Sequence, residues 1–401
     1  MNQYIAQLAR MGAAQKRTII GLMSGTSLDG LDIAVCDITG SGMETEVAVK
    51  HFTTIPFDET FKSAIREIFS KKTIDFELLC LLNPWVGEQH AAMILKALKG
   101  WGIQPAEIDL IASHGQTVYH APKLLHGKPQ YGNATLQIGD GDQIAVKTGI
   151  ITMSDFRQKH IAAGGEGAPL AVYGDYFIFS KKGEDRIMLN IGGIANYTFL
   201  PGSLDAAKIF STDTGPGNTL MDQYVQKHFN CAYDKDAAIA KQGKVNEDLL
   251  NVLLSDSFFA EPFPKTTGPE LFNLAYLEKA IQRSGQDNIS HYDIMATLNR
   301  LTASTIVTAI ERGQEMIGNK EIVVYSSGGG MHNPMIMDFI KAALPDAHFY
   351  TTDALEINPD AKEAVLFAVL ANENVAGGSV SIGGGNAGIP SVTMGKISFP
   401  K

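Results

Sequence analysis

From Thr18 onward the chain alternates apolar runs with polar punctuation. TIIGLM (18–23) and LDIAVCDI (31–38) are strand-length and rich in β-branched residues, and TEVAVKHFTTI (45–55) follows with alternating character. Helical spacing then takes over, with apolar residues three and four apart around 61–69 and through 76–98. IDLIASHG (108–115) predicts a short buried strand, GDQIAVKTG (141–149) a short helix, and IITMSD (150–155) another strand. The pattern restarts near Arg186. RIMLNIGG (186–193), IANYTFL (194–200) and AKIFST (207–212) read as three strands, and helices run from Asn218 through HYDIMATLNRLTASTIVTAIERG (291–313). Strand EIVVYSS (321–327), helix NPMIMDFIKAAL (333–344), strand AHFYTT (347–352) and helix KEAVLFAVLANENVA (362–376) complete the series.

Both halves share one order: a three-strand meander, then helices alternating with strands. That order predicts an α/β fold with mixed, largely parallel sheets covered on both faces. Its duplication predicts two similar lobes with a ligand cleft between them. The expected divisions are an N-terminal extension over 1–17, a first lobe over 18–155 and a second over 156–378. The segment 379–401 is expected to pack back on the first lobe. The opening MNQYIAQLARMGAAQKR reads as an amphipathic or frayed extension, because it lacks the sustained apolar stretch of a signal peptide.

Composition narrows the partners. The hydrophobic fraction of 45% and charged fraction of 19% are those of an ordinary globular protein. A net charge of -10 argues against nucleic acid, whose phosphates need a positive field, but not against an anion held by backbone amides. Cys36, Cys80 and Cys231 are widely spaced and form no C-x-x-C pair, so buried inert thiols in a reducing compartment are expected, with no zinc site. No apolar run reaches membrane-spanning length, and a cytoplasmic location follows by default.

Four glycine-rich turns each follow an apolar strand: SGTSLDG (24–30), NIGGIAN (190–196), DTGPGN (213–218) and SSGGGMHN (326–333). Any one is an ordinary tight turn. Four at corresponding places in two halves point to a phosphate-bearing ligand, and the last two lead into predicted helices whose first amides would favour an anion. There is no G-x-x-x-x-G-K-[ST], so this is not a P-loop, and no G-x-G-x-x-G opens a βαβ unit. In the first turn Ser24, Thr26 and Ser27, with the amides of Gly25 to Gly30, are suited to wrap phosphate oxygens. Asp29 sits in the turn, where it can reach Mg²⁺ directly or through its waters; Asp32 is expected to cap local backbone groups.

GLMSGTSLDGLDIA, SHGQTVYH, TLQIGDG, DFR…GGEGAPL, LNIGGIAN, DTGPGN, PKTTGPELFN and SSGGGMHN occur in that order. The series resembles the 1,6-anhydro-N-acetylmuramic acid kinases, over most of the chain from about Thr18. That resemblance implies the fold of the acetate kinase, sugar kinase, Hsp70 and actin superfamily, in which two related lobes close over ATP. It implies a reaction in which water attacks the anomeric carbon and opens the bridge while O6 takes the γ-phosphoryl group. The product is N-acetylmuramic acid 6-phosphate, in cell-wall recycling. The cofactors expected are ATP and Mg²⁺; the partner is the small sugar, with no nucleic acid or membrane, and a homodimer is left open.

The positions expected to face ATP are Gly25, Thr26, Ser27, Leu28, Asp29, Gly30, Leu31 and Asp32 in the first turn, with Asp29 the Mg²⁺ ligand. Asn190, Gly192, Gly193, Gly215, Gly217, Asn218, Gly328, Gly329, Gly330 and Asn333 complete the set. The expected base is Asp213, placed where AKIFST meets DTGPGN and matching the family's catalytic aspartate; capping the helix near Asn218 or holding only Mg²⁺ are its alternatives. Glu363 matches a family glutamate that helps hold the attacking water, and reads otherwise as a first-turn helix glutamate. Gln116, Thr117 and Arg157 are the sugar-facing candidates, with Arg157 suited to the lactyl carboxylate and otherwise a surface ion-pair partner. His114 reads as a buried structural histidine before a catalytic one.

Some positions depart from the pattern. His160 stands where the family commonly has aspartate and Glu166 where it has glutamine, and HGKPQYGNA (126–134) looks like a small insertion. A kinase for a related sugar is therefore the alternative reading, and a nucleotide-gated protein clamp a more distant one.

Overall fold

The computed structural model describes residues 2–168, 170–286, 288–355, 357–378, 380–382 and 389–401. The chain forms two compact units, one of Met1–Ser180, Ala206–Lys208 and Asp360–Lys401, the other of Lys181–Asp205 and Ile209–Pro359.

The first unit opens with helix α1 (Gln3–Ala13), started by the Asn2 side chain accepting the Tyr4 amide. Strands β1 (Lys16–Ser24), β2 (Gly30–Thr39) and β3 (Glu46–Pro56) form the expected antiparallel meander. β1 and β2 are buried almost throughout, whereas β3 is exposed at every second residue as befits a sheet edge. Helices α2 (Glu59–Ile68) and α3 (Phe76–Trp101) begin under Asp58 and Asp75 caps. β4 (Leu110–Ala121) then lies parallel to β1. This strand is longer than its apolar core suggests, because QTVYHA pairs onward with β5 (Ala134–Ile138), past the short α4 (Lys123–His126). α5 (Gly141–Thr148) leads to β6 (Thr152–Ser154), parallel to β4, and α6 (Phe156–Ala162) and α7 (Ala171–Phe179) follow.

The second unit repeats the plan. β7 (Arg186–Ile191), β8 (Ile194–Leu200) and β9 (Phe210–Pro216) are an antiparallel meander. β9 begins three residues later than AKIFST suggests and runs on through DTGP, because its pairing with β8 extends to Pro216. α8 (Thr219–Phe229), α9 (Glu247–Leu254), α10 (Ser257–Ala260), α11 (Leu274–Ser284) and α12 (His291–Ile317) follow. β10 (Val323–Ser327) lies parallel to β7, then α13 (Pro334–Ala343) crosses to β11 (His348–Thr351). Leu189, Tyr197, Leu298, Ile306 and Ile336 are among the residues of this unit's apolar core.

The chain then returns to the first unit with α14 (Lys362–Ala376) and β12 (Lys396–Ser398), which pairs antiparallel with β6. α14 is buried from Ala364 to Glu373 and packs on β1 so closely that a Cβ on Gly21 would stand 1.8 Å from the Ala364 carbonyl oxygen. For this reason α14, like α6 and α7, belongs with the first unit rather than with the stretch 156–378 in which the sequence placed it. Ser379 and residues 383–388 of the expected C-terminal segment lie outside the described residues. Read outward from the edge, the first sheet runs β3-β2-β1-β4-β6 and the second β9-β8-β7-β10-β11. These are the same order, so the duplication is real at the level of strand connectivity.

Of the two forms expected of the extension, amphipathic or frayed, the first holds: α1 is a helix with Met11 buried and Gly12 close against the Val375 carbonyl. Arg17, 2% exposed, donates to the Asn372 Oδ1 at 2.6 Å, to the Gly40 carbonyl at 2.5 Å and to the Ala14 carbonyl. Cys36 is buried as expected, whereas Cys80 and Cys231 are exposed. No helix among the described residues is long and apolar enough to cross a membrane.

Candidate active site

In the first unit the β1–β2 turn is held from beneath. Ser24 is buried and donates its hydroxyl to Gln116 Oε1, while Gln116 Nε2 donates to the Gly25 carbonyl at 3.3 Å and to the Thr117 carbonyl at 3.2 Å. Gln116, one of the expected sugar-facing residues, is fully buried and its amide braces the turn. Thr117, also buried, accepts the Gln137 amide at 3.1 Å through its hydroxyl. Thr26, Ser27 and Asp29 are exposed at the tip, and a Cβ on Gly25 would meet only the Ser27 hydroxyl, at 3.6 Å. Leu28 and Leu31, both expected to face ATP, have side chains in the apolar core, and Gly30 is pressed against Ile55, its Cβ position 2.5 Å from that carbonyl. Asp32 caps no backbone group; it accepts the Thr54 hydroxyl at 2.6 Å, and burial raises its pKa against that bond.

Arg157 is no surface ion-pair partner. It is half-buried on α6, donating from Nε to His114 Nε2 at 2.9 Å and from Nη1 to the Gly167 carbonyl at 3.3 Å. That leaves His114 one workable tautomer: Nδ1–H donates to the Gly115 carbonyl at 2.9 Å while Nε2 accepts from Arg157. Burial, and then the Arg157 charge, hold the His114 pKa well below its usual value, so the ring stays neutral. Glu363, in the first turn of α14, has its pKa raised by burial, opposed by the charges of Lys362 and Arg157. Arg157, Glu363 and Asp32 are thus brought within electrostatic reach of one another inside this unit. His160 is fully buried and accepts the Gly167 amide at 3.0 Å through Nδ1, which makes it a pin of the GGEG turn. Pro169 of GGEGAPL lies outside the described residues.

In the second unit three of the glycine turns close on one another. Gly217, Asn218 and Thr219 donate their amides to the carbonyls of Gly193, Gly192 and Gly193 at 2.9, 2.8 and 3.1 Å. Of the amides that the sequence offered to a phosphate here, those of Gly217, Asn218 and Thr219 are therefore bonded within the protein. A Cβ would fall 2.2 Å from the Gly192 oxygen at Gly217, 2.3 Å from the Thr219 hydroxyl at Gly193, and 2.6 Å from Asn190 Oδ1 at Gly328. At Gly330 it would meet the Ile191 side chain at 2.2 Å, and at Gly215 the Phe259 ring at 2.9 Å. Gly192 and Gly329 differ: their nearest neighbours stand at 3.4 and 3.6 Å, leaving room for a ligand to approach the main chain. Asn218 donates to the Ile191 carbonyl at 3.1 Å, and Asn333 caps α13 by accepting the Ile336 amide while donating to Asn299 Oδ1 at 2.6 Å. Both asparagines thus hold the turns in place.

Asp213 lies in mid-strand on β9 opposite Asn196, not at the strand's end. Its amide donates to the Lys265 carbonyl at 2.9 Å, and its Oδ2 accepts the Thr267 amide at 2.8 Å. It does not cap α8, whose start carries no side-chain cap. Burial raises its pKa to about 6, opposed by the Thr267 amide. Lys265 and Thr267, which pair with Asp213, belong to PKTTGPELFN and are not among the expected site residues; a Thr-Thr-Gly run bounded by prolines is their signal in the sequence.

The family model for anhydro-N-acetylmuramic acid kinase (AnmK) matches residues 17–398. An anhydro-N-acetylmuramic acid kinase of Pseudoalteromonas atlantica is 55% identical over 402 residues, covering 100% of both chains. One of Caldanaerobacter subterraneus subsp. tengcongensis is 39% identical over 395 residues, covering 98% of this chain and 100% of that one. Among solved structures, an activator of the 2-hydroxyisocaproyl-CoA dehydratase from Clostridium difficile with bound ADPNP gives a TM-score of 0.40 at 13% identity, covering 89% of this chain and 95% of that one.

Proposed function

Because the chain belongs to the anhydro-N-acetylmuramic acid kinase family, we propose how its own residues carry that family's reaction. The protein phosphorylates 1,6-anhydro-N-acetylmuramic acid with ATP and opens the anhydro ring, in cell-wall recycling. Water adds to C1, the C1–O6 bond breaks, O6 takes the γ-phosphoryl group, and one proton must leave the water.

Asp213 takes that proton. The supporting observation is its half-buried carboxylate, anchored through Oδ2 by the Thr267 amide and raised to about 6 by burial, which suits a base working near neutral pH. Glu363 helps hold the water, and Arg157, braced by His114 and Gly167, meets the lactyl carboxylate. In the first unit the main chain is open to a phosphate at Gly25, with the Thr26 and Ser27 hydroxyls beside it; in the second it is open at Gly192 and Gly329. Mg²⁺ would be held mainly by phosphates and water, with one carboxylate. Asp29 is the exposed carboxylate placed for that role, and Mg²⁺, when bound, neutralises phosphate charge. The unpaired thiols Cys36, Cys80 and Cys231 support a cytoplasmic location.

Asp213→Asn should keep ATP binding and lose turnover by ~10²–10⁴-fold. The decisive assay runs purified protein with ATP, Mg²⁺ and the anhydro sugar in ¹⁸O-water. One phosphate plus one labelled oxygen on the product is expected; phosphate without label would mean an ordinary sugar kinase, and a near-normal Asn variant would remove Asp213 from the chemistry.

A further inference from the structure

β9 is the edge of its sheet, so its outward amides and carbonyls need partners beyond β8. Residues 265–267 supply them. The Asp213 amide donates to the Lys265 carbonyl at 2.9 Å, and the Lys265 amide donates to the Thr212 hydroxyl at 3.1 Å. One turn further, the Thr267 amide reaches Asp213 Oδ2 at 2.8 Å. The loop thus touches both the main chain and the side chain of the proposed base.

What fixes the loop is Lys265. Its side chain is buried, and its ammonium donates to the Phe258 and Phe259 carbonyls at 2.8 and 3.2 Å. The same ammonium lies 4.2 Å from the Phe258 ring centre and 5.6 Å from that of Phe263. A lysine head drawn out of water onto carbonyls and rings, with no carboxylate bonded to it among the described residues, is costly where a leucine would pack as well. A plain staple does not require the charge.

We infer that Lys265 is a positioning residue for the reaction, fixing the loop so that the Thr267 amide occupies one oxygen of Asp213 and leaves the other to receive the proton. This rests on Asp213 being the base. The charges facing Asp213 are Lys265, which favours its ionised form, and Glu270 on the same loop, which opposes it. β8 presents the neutral Asn196, and Arg312 of α12 lies over the Phe263 ring at 4.5 Å and acts on Lys265.

The test uses the full chain. In K265M, kcat should fall ~10-fold or more through misplacement of the base, the KM for ATP should change little, and the acid limb of kcat should move to higher pH. K265R should recover most of kcat and return the limb. A K265M enzyme with unaltered kcat and limb, or a loss that K265R leaves uncorrected with the limb unmoved, overturns the inference. In the unaltered protein, the Thr267 amide proton followed by NMR must titrate with the midpoint of the Asp213 carboxylate; an amide that ignores it overturns the inference even if K265M does not fold. Because that titration needs no turnover, it separates failure of the loop from failure of Asp213 as base, which Asp213→Asn reports.

Discussion

Asp213 carries a carboxyl group whose burial costs the fold stability once it ionises. Its pKa in the fold, about 6, stands above the ordinary 3.8, so the folded state prefers the protonated acid. That preference contributes stability fully below the unfolded pKa and is lost as pH rises through the folded one. Asp213→Asn cannot ionise and should keep it. Its melting temperature should therefore gain on that of the wild type as pH climbs from about 4 to about 6 and hold the lead above. A difference independent of pH would mean that the carboxylate feels no desolvation. Asp213, Asp29 and Arg157 stand out in the sequence by residue type, but their settings do not: Asp213 lies in mid-strand and Arg157 on α6. The roles of the amide-bearing residues do not stand out either: Gln116, Asn218 and Asn333 carry the same donors whether they meet a ligand or a carbonyl. Their partners lie far off in sequence, at Ser24, Ile191 and Asn299.

Among elements, the glycine turns divide by what surrounds them. Gly217 backs onto the Gly192 carbonyl at 2.2 Å from a Cβ position, whereas Gly25 has only the Ser27 hydroxyl at 3.6 Å. Gly217→Ala should lower stability by ~1–3 kcal/mol in urea unfolding, since the obstructing atoms are backbone. Gly25→Val should leave the urea midpoint nearly unchanged and raise the KM for ATP more than that for sugar; the reverse pattern would misplace the phosphate loop. Both glycines follow an apolar strand, and periodicity gives them the same description. Packing against a second turn distinguishes them, and no local pattern reports it. β4 shows the same limit, because its length is set by pairing with β5 across the turn that follows.

For the whole molecule, the repeated meander was legible because strand order survives when sequence similarity between the halves does not. Unit boundaries were less so, since α14 follows the second unit in sequence yet covers β1 of the first. A fragment ending at Ser180 lacks that helix and should show no cooperative urea transition, while residues 181–359 carry a complete sheet and core and should unfold cooperatively. Cooperative unfolding of 1–180 would show that α14 is dispensable to the first unit.

The two halves anchor their leading turns by different means. In the first, a side-chain amide, Gln116, ties the loop to its neighbour strand; in the second, the tie runs mainly from peptide nitrogen to peptide oxygen, with the Asn218 side chain adding one bond. One exchange of side chain can release the former, but the latter is written into the polypeptide itself. Drift and directed-evolution libraries alike should therefore find changes in nucleotide handling through the N-terminal half, leaving the other half's cradle as an inherited constant.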